Sequence, residues 1–254
     1  MKIQYCSDLH LEFPHNREFI KNNPLIPTGE ILILAGDILP FALLDKPSDF
    51  LDLISDSFEK VFWIPGNHEY YGSDINDRSN SFCEKIRSNL FLVNNYEEKI
   101  NDINFIFSTL WSKISEQNSL IIQNTLYDFK SINDRDEKLS VSKFNDLHQT
   151  CFDFIQQTLN KNKNEINMVV THHVPTFMNY PEQHIRSTIN QGFATELFDL
   201  IHDSSIEYWI YGHHHTNTPD FKINQTKLIT NQLGYVNFKK NKTYKNDSII
   251  EIQR

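Results

Sequence analysis

Histidine and carboxylate residues follow several short apolar runs of this sequence, in patterns that suit metal binding. The run Tyr208–Tyr211 is followed by "GHHHTN", which places His213, His214 and His215 in a row. Other apolar runs end in "SDLH" (residues 7–10), "AGD" (35–37), "PGNH" (65–68) and "VTHH" (170–173). One such cluster alone is common in turns. Their recurrence at the ends of apolar runs indicates a shared chemistry.

Side-chain alternation along an extended chain predicts which members of these clusters face the same way. If the chain continues extended after each run, Asp8 and His10 share one face. By the same rule His213 and His215 share a face, and His214 between them turns away. Each pair would then present two ligands to the same side.

The whole set offers seven oxygen and nitrogen ligands and no sulfur. Its members are Asp8, His10, Asp37, Asn67, one of His172 and His173, His213 and His215. This number exceeds the four ligands of a closed structural zinc site. It suits two divalent metals about 3.5–4 Å apart that share one carboxylate. A mixed N/O set fits Mn, Fe, Zn, Co or Ni, so the residue types predict a binuclear site without choosing its metals.

The apolar runs are typical of buried strands, and helical stretches separate them. Strands are predicted at Lys2–Asp8, Ile31–Asp37, Val61–Asn67, Ile103–Trp111, Asn167–His173 and Glu207–His213, and later in "KLITN" and "SIIEI". Helices are predicted over Ser79–Ser88, Val141–Leu159 and Phe193–Ile201. This alternation indicates a layered α/β domain. Such sheets place their ligands at the carboxyl ends of strands, so we expect the polar clusters to converge there.

Composition and charge narrow the class of protein. The formal net charge of −9 over 254 residues argues against broad attraction to nucleic acid or to an anionic membrane. Cys6, Cys83 and Cys151 are odd in number and lack CxxC spacing, which argues against a disulfide framework. The N-terminus is too polar for a signal peptide, and no apolar run approaches the roughly 18 residues that cross a bilayer. We therefore expect a soluble, cytoplasmic protein with no membrane partner.

Taken in order, the motifs resemble those of the calcineurin-like metallophosphoesterases. That family's blocks D-x-H, G-D, G-N-H-E/D, a strand-end His and G-H-x-H stand here as "SDLHLEF", "AGD", "PGNHEYYG", "VVTHHVPT" and "YGHHHTN". The segments "TLWS" and "YDFKSI" resemble the bacterial single-domain members, so the likeness covers nearly the whole chain. It implies a four-layer α-β-β-α sandwich of two mixed sheets flanked by helices, with the metal site at the C-terminal ends of the strands. It also implies a single domain over residues 1–254, with a cap-like excursion at 112–140.

The resemblance further implies a role for each residue of the set. One metal would be held by Asp8, His10 and His215, the other by Asn67, His172 and His213, with Asp37 as the bridge. His68 would be the general acid. In such a site the metals lower the pKa of a bound water, and the metal-bound hydroxide attacks phosphorus in line. The implied function is a metal-dependent phosphoric ester hydrolase acting on a small phosphodiester or phosphomonoester.

Some positions stay open or depart from the family pattern. The family's ligand comes directly off the strand, which favours His172 and leaves His173 beside the ligands or facing the substrate.

Many bacterial relatives have "NPRGY" where this chain has "NQLGY" (231–235), so an arginine is missing here. Arg186 and Lys130 are the candidate replacements for holding substrate. The phosphoprotein phosphatases carry an Asp after G-D that holds the catalytic histidine, but "GDILPFALL" has none, so the sequence identifies no partner for His68.

Two other functions are alternatives. A Mn-dependent nuclease has precedent in the family, but the negative charge and the lack of a Lys/Arg-rich stripe argue against nucleic acid. A non-catalytic metal-binding or interaction module of the same fold would not need a complete ligand set together with His68. The expected partner is therefore a small phosphorylated substrate, and the sequence gives no indication of oligomeric state.

Overall fold

A computed structural model describes residues 1–252, whose first sheet has six strands. These strands are β1 (Lys2–Cys6), β2 (Ile31–Ala35), β3 (Lys60–Ile64), β4 (Phe82–Lys85), β5 (Leu90–Asn94) and β14 (Ile249–Glu251). Their order is β14-β1-β2-β3-β5-β4, in which β1, β2, β3 and β5 run parallel and the two edge strands run antiparallel to their neighbours. The sheet is therefore mixed, with a parallel centre.

The second sheet also has six strands and a parallel centre. It contains β6 (Tyr96–Ile100), β7 (Ile103–Ser108), β10 (Ile166–Thr171), β11 (Ile206–Ile210), β12 (Phe221–Ile223) and β13 (Thr226–Ile229). The order is β12-β13-β11-β10-β7-β6, with antiparallel pairing only at the two edges. Central strands such as Ile31–Ala35 are buried along their whole length, as expected when both faces of a parallel sheet are covered.

An apolar layer fills the space between the two sheets. It is formed by alternate residues of the central strands, including Ile33, Phe62, Phe107 and Met168. The ring of Phe62 in the first sheet stacks on that of Phe107 in the second, with centroids 4.6 Å apart. This packing holds the sheets face to face, so that the strand ends of both sheets lie at one edge of the sandwich.

Helices cover the outer faces and complete the four layers. The helices are α1 (Pro14–Asn22), α2 (Asp49–Ser57), α3 (Glu116–Thr125), α4 (Asp128–Ser131), α5 (Val141–Lys161) and α6 (Phe198–Asp203). Helix α2 packs on β3, and α5 packs on β7. Ser48 and Ser140 accept hydrogen bonds from Leu51 N and Lys143 N, and so cap the first turns of α2 and α5. The four-layer fold inferred from the sequence is thus confirmed.

Several element predictions are confirmed and a few are wrong. Each predicted strand is present, and the long helix over Val141–Leu159 is α5. The helix predicted over Ser79–Ser88 is instead the strand β4, because Phe82–Lys85 alternates half-buried and exposed residues and pairs with β5. The helix predicted over Phe193–Ile201 begins only at Phe198, since the backbone of Ala194 pairs with Val174.

The segment 112–140, predicted to be a cap-like excursion, leaves the second sheet after β7. It contains α3, α4 and a short hairpin formed by β8 (Asn133–Asp134) and β9 (Glu137–Lys138). Ile122 and Phe129 anchor it in the apolar core. No helix within residues 1–252 is long and apolar enough to cross a membrane.

Candidate metal centre and active site

Sharp turns follow the strands that carry the predicted ligands. Asp8, His10, Asp37, His213 and His215 all have positive φ, between 48° and 79°. This left-handed conformation is unfavourable for residues with a Cβ and is concentrated at functional sites in proteins. The premise that these segments continue extended is therefore wrong, although the side chains do converge.

Backbone hydrogen bonds between the loops hold these turns. Asp8 N donates to Gly36 O at 2.9 Å, and His10 N donates to Asp37 O at 2.9 Å. The two sheets are joined at the same place, because Ser7 N, after β1 of the first sheet, donates to Asn231 O, after β13 of the second, at 3.1 Å. The loops of different strands thus stabilise one another, which offsets the cost of the left-handed turns.

The first cluster of possible ligands contains Asp8, His10, Asp37 and His215, whose ligand atoms lie within 4.8 Å of one another. His215 Nε2 is 3.2 Å from Asp8 Oδ1. His10 Nε2 is 2.9 Å from His215 Nε2 and 3.7 Å from Asp37 Oδ2. The structure therefore brings together the three residues expected to hold one metal, with Asp37 beside them.

The second cluster contains Asp37, His172 and His213, within the same 4.8 Å limit. His172 Nε2 lies 3.4 Å from Asp37 Oδ1 and 3.0 Å from His213 Nδ1. The side-chain oxygen of Asn67 is 3.2 Å from the same His172 nitrogen. Asp37 belongs to both clusters, as a bridging carboxylate must.

Hydrogen bonds to the rings test whether these residues fit a metal. His172 Nδ1 donates to Ala35 O at 2.9 Å, and His213 Nε2 lies 3.4 Å from Gly192 O. In the neutral rings the remaining nitrogens, 3.0 Å apart, then carry lone pairs that face each other. Such lone pairs repel unless a proton or a cation is shared. Two nitrogens bound to one ion at about 2.1 Å are about 3.0–3.4 Å apart, so the set fits a metal.

The buried carboxylates create a negative field at this edge. Burial alone would lower the pKa of His172, but the charges of Asp37 and Asp8 raise it to about 9. Burial likewise works to raise the pKa of Asp37, yet His172 and His68 hold it well below its usual value. The same field that favours a protonated ring would favour a divalent cation.

A buried glutamate, Glu69, holds two of the ligand loops in register. Its carboxylate accepts hydrogen bonds from Asp37 N at 2.9 Å, Ile38 N at 2.6 Å and Gly66 N at 2.7 Å. The indole of Trp63 donates to it as well, at 3.1 Å. Burial and the nearby Asp37 raise the pKa of Glu69 to about 7, despite these donors. Glu69 therefore links the turn after β2 to the turn after β3.

Glycine is required where the ligands approach the backbone most closely. A Cβ on Gly66 would lie 2.3 Å from Asp37 Oδ1 and 2.6 Å from the His172 ring. Both distances are far inside van der Waals contact, and the obstructing groups are themselves ligands. The glycine of the "GNHE" motif thus makes room for Asp37 and His172 to meet.

His68 lies beside the first cluster, oriented by a residue that the sequence did not identify. Its Nδ1 is 2.8 Å from Glu12 Oε1, and its Nε2 is 3.2 Å from the Tyr235 hydroxyl. The same Glu12 oxygen is 3.2 Å from His10 Nδ1. Burial works to lower the pKa of His68, but Asp37 and Glu12 raise it to about 9. Glu12 stands two residues after His10 in "DLHLE", a spacing that could have suggested it.

A second unforeseen carboxylate, Asp128, orients Asn67. Asp128 Oδ1 accepts from Asn67 Nδ2 at 2.8 Å and from the Tyr71 hydroxyl at 2.6 Å. Because the amide nitrogen of Asn67 is engaged in this way, its oxygen turns towards His172. Asp128 belongs to α4, so the excursion contributes directly to the site.

A cavity of about 370 Å³ opens above the two clusters. Its floor includes Asp37, Asn67, His68, His213 and His215. The excursion and the loop after β10 provide walls, which include Leu126–Asp128 from the first and Ser187, Ile189 and Asn190 from the second. A larger groove near α6 contains none of the predicted ligands. The predicted ligands therefore lie at the smaller cavity and not at the larger groove.

Three residues considered for contact with the substrate lie elsewhere. His173 is fully buried behind His213, with ring centroids 4.2 Å apart, and does not line the cavity. Its ring packs instead against Trp111 and Phe144 in the core. Arg186 is exposed in a shallow surface depression beside the cavity, and Lys130 is exposed on α4. His214 lies outside both clusters, and its Nδ1 accepts from Gln232 at 2.9 Å.

Removal of Asp128 is expected to weaken metal binding at the cluster that contains Asn67. Loss of such an outer partner typically costs about 10–100-fold in affinity, so Asp128→Ala should weaken one Mn²⁺ site by that factor in calorimetric titration. Asp128→Asn keeps an acceptor oxygen and should retain most of the affinity. Tyr71→Phe, which leaves the Asp128–Asn67 bond in place, is the matched control. Equal affinities in Asp128→Ala and the unmodified protein would contradict the assigned role.

Comparison with known proteins agrees with this geometry. A family model described as calcineurin-like phosphoesterase matches residues 1–217. An uncharacterised protein of Acanthamoeba polyphaga mimivirus is 34% identical over 264 residues, covering 92% of this chain and 91% of that protein.

Two solved structures are also similar. Phosphopantetheinyl hydrolase from Mycobacterium tuberculosis aligns with a TM-score of 0.70 and 15% identity, over 98% of this chain and 95% of that one, so the two share a fold. A dimetal phosphatase from Danio rerio has a TM-score of 0.48 and 12% identity, over 91% of this chain and 87% of that one. With the family model matching residues 1–217, the chain belongs to the calcineurin-like phosphoesterase family.

Proposed function

We propose that this protein is a dimetal-dependent phosphoesterase that hydrolyses a small phosphodiester or phosphomonoester. The observation that carries the proposal is the pair of ligand clusters that share Asp37 on the floor of one cavity, with His68 beside them. One metal would be held by Asp8, His10, Asp37 and His215, and the other by Asp37, Asn67, His172 and His213. The donor set suits Mn, Fe, Zn, Co or Ni.

The ligands and Asn67 set the charge of the site. When bound, two divalent metals would polarise the phosphoryl oxygens and activate a water for in-line attack. Asp8 and Asp37 supply two negative charges, and two divalent metals would supply four positive ones. The metals and their ligands would therefore carry a net positive charge that attracts phosphate. Asn67 contributes an oxygen without a third charge, which preserves that attraction.

His68 is the group placed to protonate the leaving oxygen. Its Nε2 faces the cavity next to Tyr235. Glu12 accepts a hydrogen bond from Nδ1 and so fixes the orientation of the ring. A carboxylate at Nδ1 stabilises the charged ring before the proton is given up and sets the direction in which the other nitrogen points. The expected step is donation from Nε2 to the departing oxygen, followed by recovery of a proton from solvent.

A small substrate is favoured over nucleic acid by the form of the site. The cavity of about 370 Å³ is walled by the excursion, and the described residues that line it include no lysine or arginine. A nuclease needs cationic contacts along the phosphate backbone. A non-catalytic module would have no need for a histidine held by Glu12 at the cavity floor.

The proposal is tested by stripping the protein of metal and assaying hydrolysis of bis-p-nitrophenyl phosphate and p-nitrophenyl phosphate with and without Mn²⁺. Metal-dependent turnover is expected, and the preferred ester separates a diesterase from a monoesterase. No turnover with Mn, Fe, Zn, Co or Ni would argue for the binding module instead. Cleavage of DNA with Mn²⁺, faster than that of either small ester, would argue for the nuclease.

Replacement of His68 should slow the reaction without removing the metals. General acid catalysis usually contributes at least about a hundredfold, so His68→Ala should lower kcat by that factor while metal content, measured by elemental analysis, is unchanged. His202→Ala is the matched control, because His202 lies on α6, is half exposed and takes no part in the site. A loss of less than about tenfold with full metal content would rule out the acid role.

A further inference from the structure

We infer that the cavity takes esters in which one phosphoryl group is joined to a flat, uncharged group, and that Tyr127 holds this group. The inference rests on the phosphoesterase function proposed above and deepens it. Three features of the cavity carry it: the lack of lysine and arginine in its lining, the aromatic walls, and the position of Tyr127 at the mouth.

No lysine or arginine is available for a second phosphate. Among the described residues that line the cavity there is no lysine or arginine. The arginine of "NPRGY" in bacterial relatives corresponds to Leu233, whose side chain is fully buried in the core. Lys130 and Arg186, the candidate replacements, are exposed outside the cavity lining.

The cavity lining also includes a buried carboxyl group next to Asn67. Asp128 lines the cavity and is almost completely buried. Beyond the phosphate that the metals would neutralise, a further anionic group would meet this carboxylate without a counter-charge. Nucleoside polyphosphates and sugar bisphosphates are therefore disfavoured.

Aromatic and aliphatic side chains form much of the remaining wall. The aromatic ones are Tyr71, Tyr127, Tyr180, Phe193 and Tyr235, and Leu126 and Ile189 add apolar surface. Apolar walls with a few placed polar groups are typical of sites for small organic ligands. The part of the substrate that is not phosphate should therefore be uncharged and partly apolar.

Tyr127 is the wall residue placed to contact that part of the substrate. It stands between α3 and α4 with 63% of its surface exposed, although it lines the cavity. Its ring meets Tyr71 edge to face, with centroids 5.4 Å apart, and Tyr71 in turn lies 4.1 Å from the His68 ring. An aromatic series thus runs from the acid to the mouth of the cavity. A flat leaving group that is protonated by His68 would lie along this aromatic series, and Tyr127 forms the outer end of the series.

The test measures binding of phosphonates that cannot be hydrolysed, by calorimetry on the Mn²⁺-loaded protein. Phenylphosphonate should bind about three- to tenfold more tightly than methylphosphonate, the factor expected from one aromatic contact. Tyr127→Ala should remove that difference by weakening phenylphosphonate alone, and Tyr127→Phe should keep it. 4-Phosphonobenzoate, which adds one negative charge to the same ring, should bind more weakly than phenylphosphonate.

Leu120→Ala is the matched control, because Leu120 is an exposed residue of α3 that does not line the cavity. An unchanged phenyl-to-methyl ratio in Tyr127→Ala would overturn the inference, as would tighter binding of 4-phosphonobenzoate. If no phosphonate binds while bis-p-nitrophenyl phosphate is still hydrolysed, the inference fails and the phosphoesterase function stands. If both binding and hydrolysis are absent, both fail.

Discussion

The structure depends on how the negative charges of two carboxylates are offset. These carboxylates, Asp8 and Asp37, are buried at the edge of the sandwich. Their exposed fractions are 0% and 1%, and no lysine or arginine whose side chain the structure describes forms an ion pair with either. A buried charge without a partner is strongly destabilising. Backbone N–H groups of His68 and His213 donate to these carboxylates, but the side chains that could offset their charge are histidine rings, whose facing lone pairs are suited to binding a metal. The positive charge of bound metals would complete this site and would at the same time attract phosphate.

The fold supplies this arrangement through the direction of its strands. Parallel central strands in both sheets end at the same edge, so loops from β1, β2, β3, β10 and β11 meet there. Left-handed turns and Gly66 allow the ligands to approach, and Glu69 ties two of the loops together. The excursion adds Asp128, which accepts a hydrogen bond from Asn67, and Tyr127, which lies at the mouth of the cavity. The proposed metal binding, the proposed proton donation and the shape of the cavity are therefore connected through a few buried contacts.

The sequence predicted the elements that have strong patterns and the ligands that stand in motifs. The apolar runs gave the central strands, while edge strands such as Phe82–Lys85 have too few buried residues to be distinguished from helix. The predicted ligands converge as expected, but they do so through left-handed turns. The side-chain alternation rule assumes an extended backbone and could not predict these turns. The contacts of Glu12 with His68 and of Asp128 with Asn67 were missed because they join residues far apart in sequence, and only the spacing of Glu12 from His10 was a local signal. Such contacts become visible only when the chain is folded.

The central claim is that Asp37 joins two metal sites, and Mn²⁺ titration of the metal-stripped protein tests it most directly. We expect calorimetry to give two ions per chain, and electron paramagnetic resonance at saturation to show an exchange-coupled pair, because a shared carboxylate brings the ions to about 3.5–4 Å. Binding of a single ion, or of two ions with the spectrum of isolated Mn²⁺, would contradict the account.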